Sequence, residues 1–103
     1  PPARSADGRL RLQVLAVDRF GNVVLNLKER TFAAAREAST SVPFSLEIGG
    51  KAIRRLLRTY GESEDAEPFA LFNSFGYLEV AVREGSAAAL LAAATGQPAF
   101  LSL

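Results

Sequence analysis

Two stretches of this chain alternate apolar and other residues, and this alternation constrains the fold more than any other feature. The apolar members are Leu10, Leu12, Val14 and Ala16 in the first stretch, and Val42, Phe44, Leu46 and Ile48 in the second. A period of two puts every second side chain on one face, so each stretch predicts a β-strand with one side in the core. Gly49-Gly50 follows the second and predicts a hairpin turn into another strand over residues 51–60. That arm also has helical spacing at Ile53, Leu56 and Leu57, so a helix is its alternative.

The remaining elements are short and are separated by Gly and Pro. Further strands are predicted over residues 23–27, 69–73, 78–82 and 99–103, and Ser86 is a suitable N-cap for a helix over residues 87–94 that stops at Gly96. Residues 31–41 are rich in Ala and fit either a short helix or an irregular excursion. These patterns predict a mainly β fold, an antiparallel β-barrel or sandwich with one short helix near the C-terminus. We find no internal repeat in the sequence.

Composition excludes several classes of function. The chain has 103 residues, enough for one domain, and contains neither Cys nor His. Thiolate zinc sites, disulfides and His-based catalytic triads are therefore excluded. The formal net charge is +1, too small to predict nucleic-acid binding, and no apolar run reaches the roughly 20 residues that span a bilayer. The chain begins with Pro1 and has no Met, so we expect it to be a segment of a longer protein.

The segment Asp18-Arg19-Phe20-Gly21-Asn22 has two interpretations. Asp, Asn and Gly supply turn geometry, so it can be a simple turn. In the functional interpretation, Gly21 lets the backbone swing so that Phe20 and Asn22 point into one cavity. A carboxamide matches the N6/N7 edge of adenine, an aromatic face stacks on a purine, and the Asp18 carboxylate can hold an ammonium group.

A second segment, residues 73–81, combines a predicted strand with small residues ahead of it that do not fit a strand pattern. Leu78 and Val80 follow a core-strand pattern. Ser74 and Gly76 fit it less well, because a small hydroxyl and a glycine leave backbone N–H groups accessible to a carboxylate ligand. Tyr60, further upstream, is interpreted either as a packing residue or as a second ring of the same site.

Together these motifs resemble the C-terminal domain of the adenosine-forming S-adenosylmethionine hydrolases and of their halogenating relatives, the fluorinases and chlorinases. The shared features occur in the same order along nearly the whole chain: Asp-x-Phe-Gly-Asn, a Thr-Tyr pair, Ser-x-Gly-Tyr-Leu-Glu-Val-Ala and Gly-Ser-Ala. Halogenases of this family carry Ser-Arg-Gly-Tyr-Leu-Ser at the third place. Phe75 and Glu79 depart from that form, which favours the branch that uses water.

The resemblance implies S-adenosyl-L-methionine as the substrate and a set of substrate-binding residues. Asp18 would bind the methionine amino group, and Phe20 and Asn22 would meet the adenine. Tyr60 is similar to the family's second adenine-facing aromatic residue, and Ser74 to a ligand of the methionine portion. The predicted set is thus Asp18, Phe20, Asn22, Tyr60, Ser74 and Phe75.

The resemblance also implies how this domain would work within a whole enzyme. Residues 1–103 would be a single C-terminal domain, and an N-terminal α/β domain, absent here, would carry the group that activates water. The enzyme would be a cytoplasmic homotrimer in which the ligand lies between this domain and the N-terminal domain of a neighbouring subunit. Water would cleave S-adenosyl-L-methionine to adenosine and L-methionine, without a cofactor, a metal or a catalytic residue from this chain.

Three other functions stay open at this point. The first is an S-adenosylmethionine-dependent halogenase. The second is a small β-barrel that binds single-stranded nucleic acid through stacking on Phe20, Phe75 and Tyr77, with a basic groove of Arg54, Arg55 and Arg58; the net charge weakens it. The third is a structural assembly domain in which the motif residues are only turns.

Overall fold

The computed structural model describes residues 2–5, 7–38 and 43–103, which form a nearly closed antiparallel β-barrel. The elements are β1 (Ala3–Arg4), β2 (Leu10–Val17), β3 (Val23–Lys28), α1 (Glu29–Ala38), β4 (Ser45–Ile48), β5 (Lys51–Ile53), a 3-10 helix (Tyr60–Glu62), β6 (Phe69–Phe72), β7 (Tyr77–Ala81), α2 (Ala87–Leu91) and β8 (Pro98–Ser102). The predicted mainly β fold, with a short helix near the C-terminus, is confirmed. Val42, predicted to begin a strand, lies outside the described residues.

The strand order explains how the barrel closes. The sheet runs β5-β4-β8-β2-β3-β7-β6, with β1 added to β2, and neighbouring strands are antiparallel. Beyond β5, Leu56 forms a parallel bridge with Ala70 of β6. The Ala70 N–H donates to the Arg55 carbonyl and the Leu57 N–H to the Ala70 carbonyl, both at 2.8 Å. These bonds bring the two ends of the strand order together.

The barrel interior is filled by the alternating residues that the sequence indicated. Leu12, Val14, Leu46 and Ile48 are all at most 1% exposed. The alternation fails at Ala16, which lies at the surface because a β-bulge shifts the register of β2 against β3 between Val14 and Ala16. Beside this bulge, the Asn26 side-chain oxygen accepts the Gln13 N–H at 2.8 Å. As a result, Leu15 and Ala16 both lie at the surface of the barrel.

The strand predicted over residues 51–60 is wrong beyond Ile53, and so is its helical alternative. The chain bends there because the Glu62 carboxylate accepts the backbone N–H groups of Arg58 at 2.7 Å and Thr59 at 3.0 Å. This bend begins the 3-10 helix at Tyr60 and sets that ring against the barrel.

The helices also differ in extent from their predictions. In the Ala-rich segment the helical alternative is the observed one, and α1 rests on the barrel through Phe32, whose ring lies 5.3 Å from that of Phe72. α2 ends before Gly96, because Ala92 adopts a left-handed conformation with φ 52°. Within the described ranges, the helices are too short or too polar to cross a membrane.

Candidate functional site

The β2–β3 turn, residues 18–22, is held together by the Asp18 side chain. Its Oδ1 accepts the backbone N–H groups of Phe20 and Asn22, each at 2.9 Å, and its Oδ2 accepts the Asn22 side-chain amide at 3.1 Å. Gly21 has φ 83°, a conformation that favours glycine. The Gly21 N–H donates to the Asp18 carbonyl at 2.9 Å. The turn therefore leaves the ring of Phe20 at its tip, 66% exposed.

The β6–β7 turn, residues 73–77, repeats this construction. Asn73 Oδ1 accepts the backbone N–H groups of Phe75 and Tyr77, each at 3.0 Å, and Gly76 has φ 85°. The Gly76 N–H donates to the Asn73 carbonyl at 2.9 Å, as Gly21 does to Asp18. Phe75 occupies the place of Phe20 and is 85% exposed.

The two turns lie at opposite ends of the central β3–β7 pair. In the register of that pair Val23 faces Val80 at one end, and Lys28 faces Tyr77 at the other. Between them, Val24 faces Glu79. The two turns thus share one design at opposite ends of this pair, a similarity that the sequence concealed because only Phe and Gly are identical in the two turns.

A groove of about 840 Å³ crosses the outer face of the sheet from one turn towards the other. Asp18 lines it, as do Ser74 and Phe75 of the second turn. Tyr60 and Arg58 also line this groove, and its remaining walls include Leu15, Ala16, Val24, Leu71, Tyr77 and Glu79. Apolar surface with a few charged and polar groups is typical of ligand sites.

A smaller side pocket of about 440 Å³ lies next to the β2–β3 turn. Phe20 and Asn22 line it together with Tyr60 and Phe69, and residues 81–85 complete its wall. Tyr60 therefore lines both the groove and the side pocket. Its ring packs edge-on against Phe69, with the centroids 6.2 Å apart, which fixes the plane of the ring between the two cavities.

The Tyr60 hydroxyl is bound by a buried carboxylate. Glu79 is only 5% exposed and accepts hydrogen bonds from the Tyr60 hydroxyl and, at 3.1 Å, from the Asn73 side-chain amide. Burial raises the pKa of Tyr60 above its usual range, and the hydrogen bond to Glu79 acts in the same direction. Glu79 thus connects Tyr60 to the residue that caps the β6–β7 turn.

The β2–β3 turn is fixed from outside by α2. The Gly21 carbonyl accepts the Ala88 N–H at 2.8 Å, and a Cβ on Gly21 would lie 2.0 Å from the Ser86 hydroxyl oxygen. Ser86 is the predicted N-cap, and its hydroxyl oxygen accepts the Ala89 N–H at 3.1 Å. This contact positions Phe20 and Asn22 at the edge of the side pocket.

The structure distributes the six predicted residues between the two cavities. Asp18, Tyr60, Ser74 and Phe75 line the groove, while Phe20, Asn22 and Tyr60 line the side pocket. Their binding roles stay predictions. Reasoning from the sequence missed the hydrogen-bond roles of Asn73 and Glu79. A signal for Glu79 was present, since it is the one charged residue within the apolar strand β7.

A third cavity, of about 680 Å³, lies between α1 and residues 56–58. It shares Arg58 and Phe72 with the groove but contains none of the six predicted residues. Its charges are mixed, with Glu29 and Glu37 alongside Arg36 and Arg58. It gives no indication of a particular ligand.

Comparison with known proteins identifies similar proteins in Thermus and Thermotoga. The chain is 36% identical over 86 residues to an (R)-S-adenosyl-L-methionine hydrolase of Thermus thermophilus, covering 84% of this chain and 29% of the relative. A crystal structure of an uncharacterized conserved protein from Thermotoga maritima matches 100% of this chain and 39% of its own, with a TM-score of 0.81 and 23% identity. A crystal structure of a conserved hypothetical protein from Thermus thermophilus matches 89% of this chain and 32% of its own, with a TM-score of 0.65 and 34% identity.

The chain spans between 29% and 39% of the length of these proteins, so it corresponds to one part of each. Residues 12–99 match the model of the family described as the SAM hydroxide adenosyltransferase C-terminal domain. This match includes both turns, Tyr60 and Glu79. The barrel described here therefore belongs to the family of SAM hydroxide adenosyltransferase C-terminal domains.

Proposed function

We propose that this domain binds S-adenosyl-L-methionine across Tyr60, within an enzyme that hydrolyses it to adenosine and L-methionine. One observation carries the proposal: Tyr60 lines two cavities, and the residues predicted for the two ends of the ligand line different ones. Phe20 and Asn22 line the side pocket, whereas Asp18 and Ser74 line the groove. The family and the similarity to the Thermus hydrolase support this substrate class.

The side pocket has the groups that an adenine ring requires. Asn22 donates one side-chain N–H to Asp18, which leaves its second N–H and its oxygen for the adenine edge. Phe20 offers an exposed ring for stacking, and the Tyr60 ring lines the same pocket.

The groove has the groups that an amino acid requires. Asp18 Oδ1 is occupied by two backbone N–H groups, but Oδ2 accepts only the Asn22 amide and can accept an ammonium as well. Ser74 is exposed in the same groove, where its hydroxyl can hydrogen-bond to the methionine portion. Arg58 adds a positive charge to the same groove.

In this proposal the domain binds and orients the substrate, and the activation of water belongs to another part of the enzyme. Holding a reactant in the correct geometry can itself supply a large part of a rate enhancement. The chain has no His or Cys to act as a general base. An N-terminal domain of a neighbouring subunit in a homotrimer would complete the site.

The nucleic-acid alternative is weakened by the surroundings of its basic groove. The Arg55 guanidinium forms an ion pair with Asp65 at 2.9 Å and donates to the Glu67 carbonyl at 2.7 Å, so its charge is partly satisfied within the domain. A nucleic-acid site would show a steep fall of affinity with salt. Binding of adenosine should show little salt dependence.

The decisive experiment is to incubate the complete enzyme with S-adenosyl-L-methionine and identify the products by chromatography and mass spectrometry. We expect adenosine and L-methionine in equal amounts. The reaction is repeated with chloride or fluoride, because a 5′-halogenated adenosine would establish the halogenase alternative instead. The 103-residue chain alone serves as the control and should give no turnover. Turnover by the chain alone would contradict the assignment of water activation to another domain.

A further inference from the structure

Glu79 is a buried carboxylate whose direct hydrogen-bond partners are neutral. Its side chain accepts from the Tyr60 hydroxyl and the Asn73 amide, and the residue is 5% exposed. The ion pairs found among residues 2–5, 7–38 and 43–103 do not include it. Arg58 lines the same groove, but within those ranges it forms no ion pair with Glu79. Burying a charge without a counterion is costly, which calls for a functional reason.

The two hydrogen bonds leave part of the carboxylate unused. Each oxygen receives one donor, Tyr60 at Oε2 and Asn73 at Oε1, whereas an ionised carboxylate has about four lone-pair sites. Glu79 lies in the wall of the groove, so its negative charge acts on whatever the groove contains. Charges act on each other more strongly in a site shielded from water than in bulk solvent.

The position of this charge matters because of Tyr60. Glu79 holds the hydroxyl of the one ring that lines both cavities. The negative charge of Asp18 also contributes to the raised pKa of Tyr60, after burial and the effects of Glu79. Both carboxylates line the groove, but the one that contacts the Tyr60 hydroxyl directly is Glu79.

We propose that Glu79 is a specificity-determining residue that selects ligands with a positive charge beside Tyr60, a sulfonium in preference to a neutral thioether. The inference rests on the proposed function, which places the adenosine and amino-acid parts on either side of Tyr60 and hence the sulfur between them. Hydrolysis transfers the C5′–S bonding electrons to sulfur, so the methionine product is a neutral thioether. The attraction to Glu79 is then lost, which favours release of the product.

The test compares two stable ligands in calorimetric titrations of the complete enzyme. Sinefungin carries a protonated amine where the substrate has its sulfonium, and S-adenosyl-L-homocysteine carries a neutral thioether there. Wild type should prefer sinefungin. Glu79→Gln should weaken the binding of sinefungin roughly tenfold and that of S-adenosyl-L-homocysteine less than about twofold. A tenfold loss of affinity corresponds to only a fraction of the Coulomb attraction between two nearby charges. Gln can still accept from Asn73 and can donate to the Tyr60 oxygen.

Asp18→Asn is the matched control, because it removes a groove carboxylate that faces the ammonium common to both ligands. It should weaken both ligands by the same factor. Equal losses for both in Glu79→Gln, or no loss for either, would overturn the specificity role and leave the proposed function intact. If Glu79→Gln fails to fold, the wild-type enzyme alone tests the inference. Equal affinities of wild type for sinefungin and S-adenosyl-L-homocysteine would then overturn it. Failure of wild type to bind either ligand would overturn the proposed function itself.

Discussion

Val24 and Glu79 face each other in the β3–β7 pair, and each is the sixth residue after the polar side chain that caps its own turn. They are therefore equivalent residues of two hairpins that share one turn design. One is apolar and the other is acidic, and both line the groove. Two turns of the same design are therefore followed by different side chains at the same position, and only Glu79 is a carboxylate.

The two turn glycines should respond differently to the same substitution. Gly76→Ala forces Ala into a left-handed conformation with open space around the new Cβ, so it should cost about 1–2 kcal/mol of unfolding free energy. Gly21→Ala carries the same conformational cost and also places Cβ within 2.8 Å of the Ser86 Cα. The overpacking should lower its free energy of unfolding by about 1–3 kcal/mol more. Urea denaturation of the two variants measures the difference, and equal losses would show that α2 does not restrain the first turn.

Asp18→Asn should separate the charge of Asp18 from its role in the turn. Asn73 caps the equivalent turn with a carboxamide, so Asn at position 18 can keep the two backbone hydrogen bonds through Oδ1. The charge-assisted bond to an ammonium is lost, and such bonds are about twice as strong as neutral ones. The Asn22 side-chain amide also loses its Oδ2 acceptor. Methionine affinity of the complete enzyme should fall, and adenosine affinity should fall less. Equal losses, at an unchanged thermal midpoint, would make Asp18 a structural residue.

Asn22→Ala should weaken the binding of adenosine and of S-adenosyl-L-methionine to the same extent, because both ligands present the adenine edge. Loss of a bidentate contact costs about 1–3 kcal/mol in base recognition. Methionine binding is the internal control and should change little. If calorimetry shows an unchanged affinity for adenosine, Asn22 has only the structural role of a hydrogen-bond donor to Asp18 in the turn.

Tyr60 should make the domain sensitive to alkaline pH. Its pKa is raised in the folded state, first by burial and then by Glu79, so the native state keeps a proton that the unfolded state releases above about pH 10. The stabilisation is fully present below that pH and is lost as the pH rises towards the folded-state value. Tyr60→Phe removes this titration. Between about pH 9 and pH 11, its urea midpoint should fall less than that of wild type, and parallel declines would contradict the prediction.

The sequence predicted the features of this domain that depend on local patterns. Alternation located β2 and β4, and Ser86 marked the start of α2. The errors arose where distant residues decide the structure. Ala16 leaves the core because of a bulge set by pairing with β3, and the arm after Ile53 bends because Glu62 binds backbone groups.

The candidate site was located by the same motifs, but its construction depended on the fold. Asp18 and Phe20 identified one turn from their immediate neighbours. Glu79 was marked by its charge within the apolar strand β7, but its partners were not. Its hydrogen bonds to Asn73 and to Tyr60, 19 residues away, form only because the barrel brings these side chains together.

The position of β8 also has a consequence for how the chain folds. Pro98–Ser102 follows the other strands in sequence, yet it lies between β4 and β2 in the sheet and pairs with both. Until it docks, β4 and β2 present unpaired edges, and partly folded chains with such edges are prone to associate. Contacts this distant in sequence also slow folding. During synthesis the barrel cannot be completed before these residues leave the ribosome, and chains cut ahead of Pro98 should aggregate.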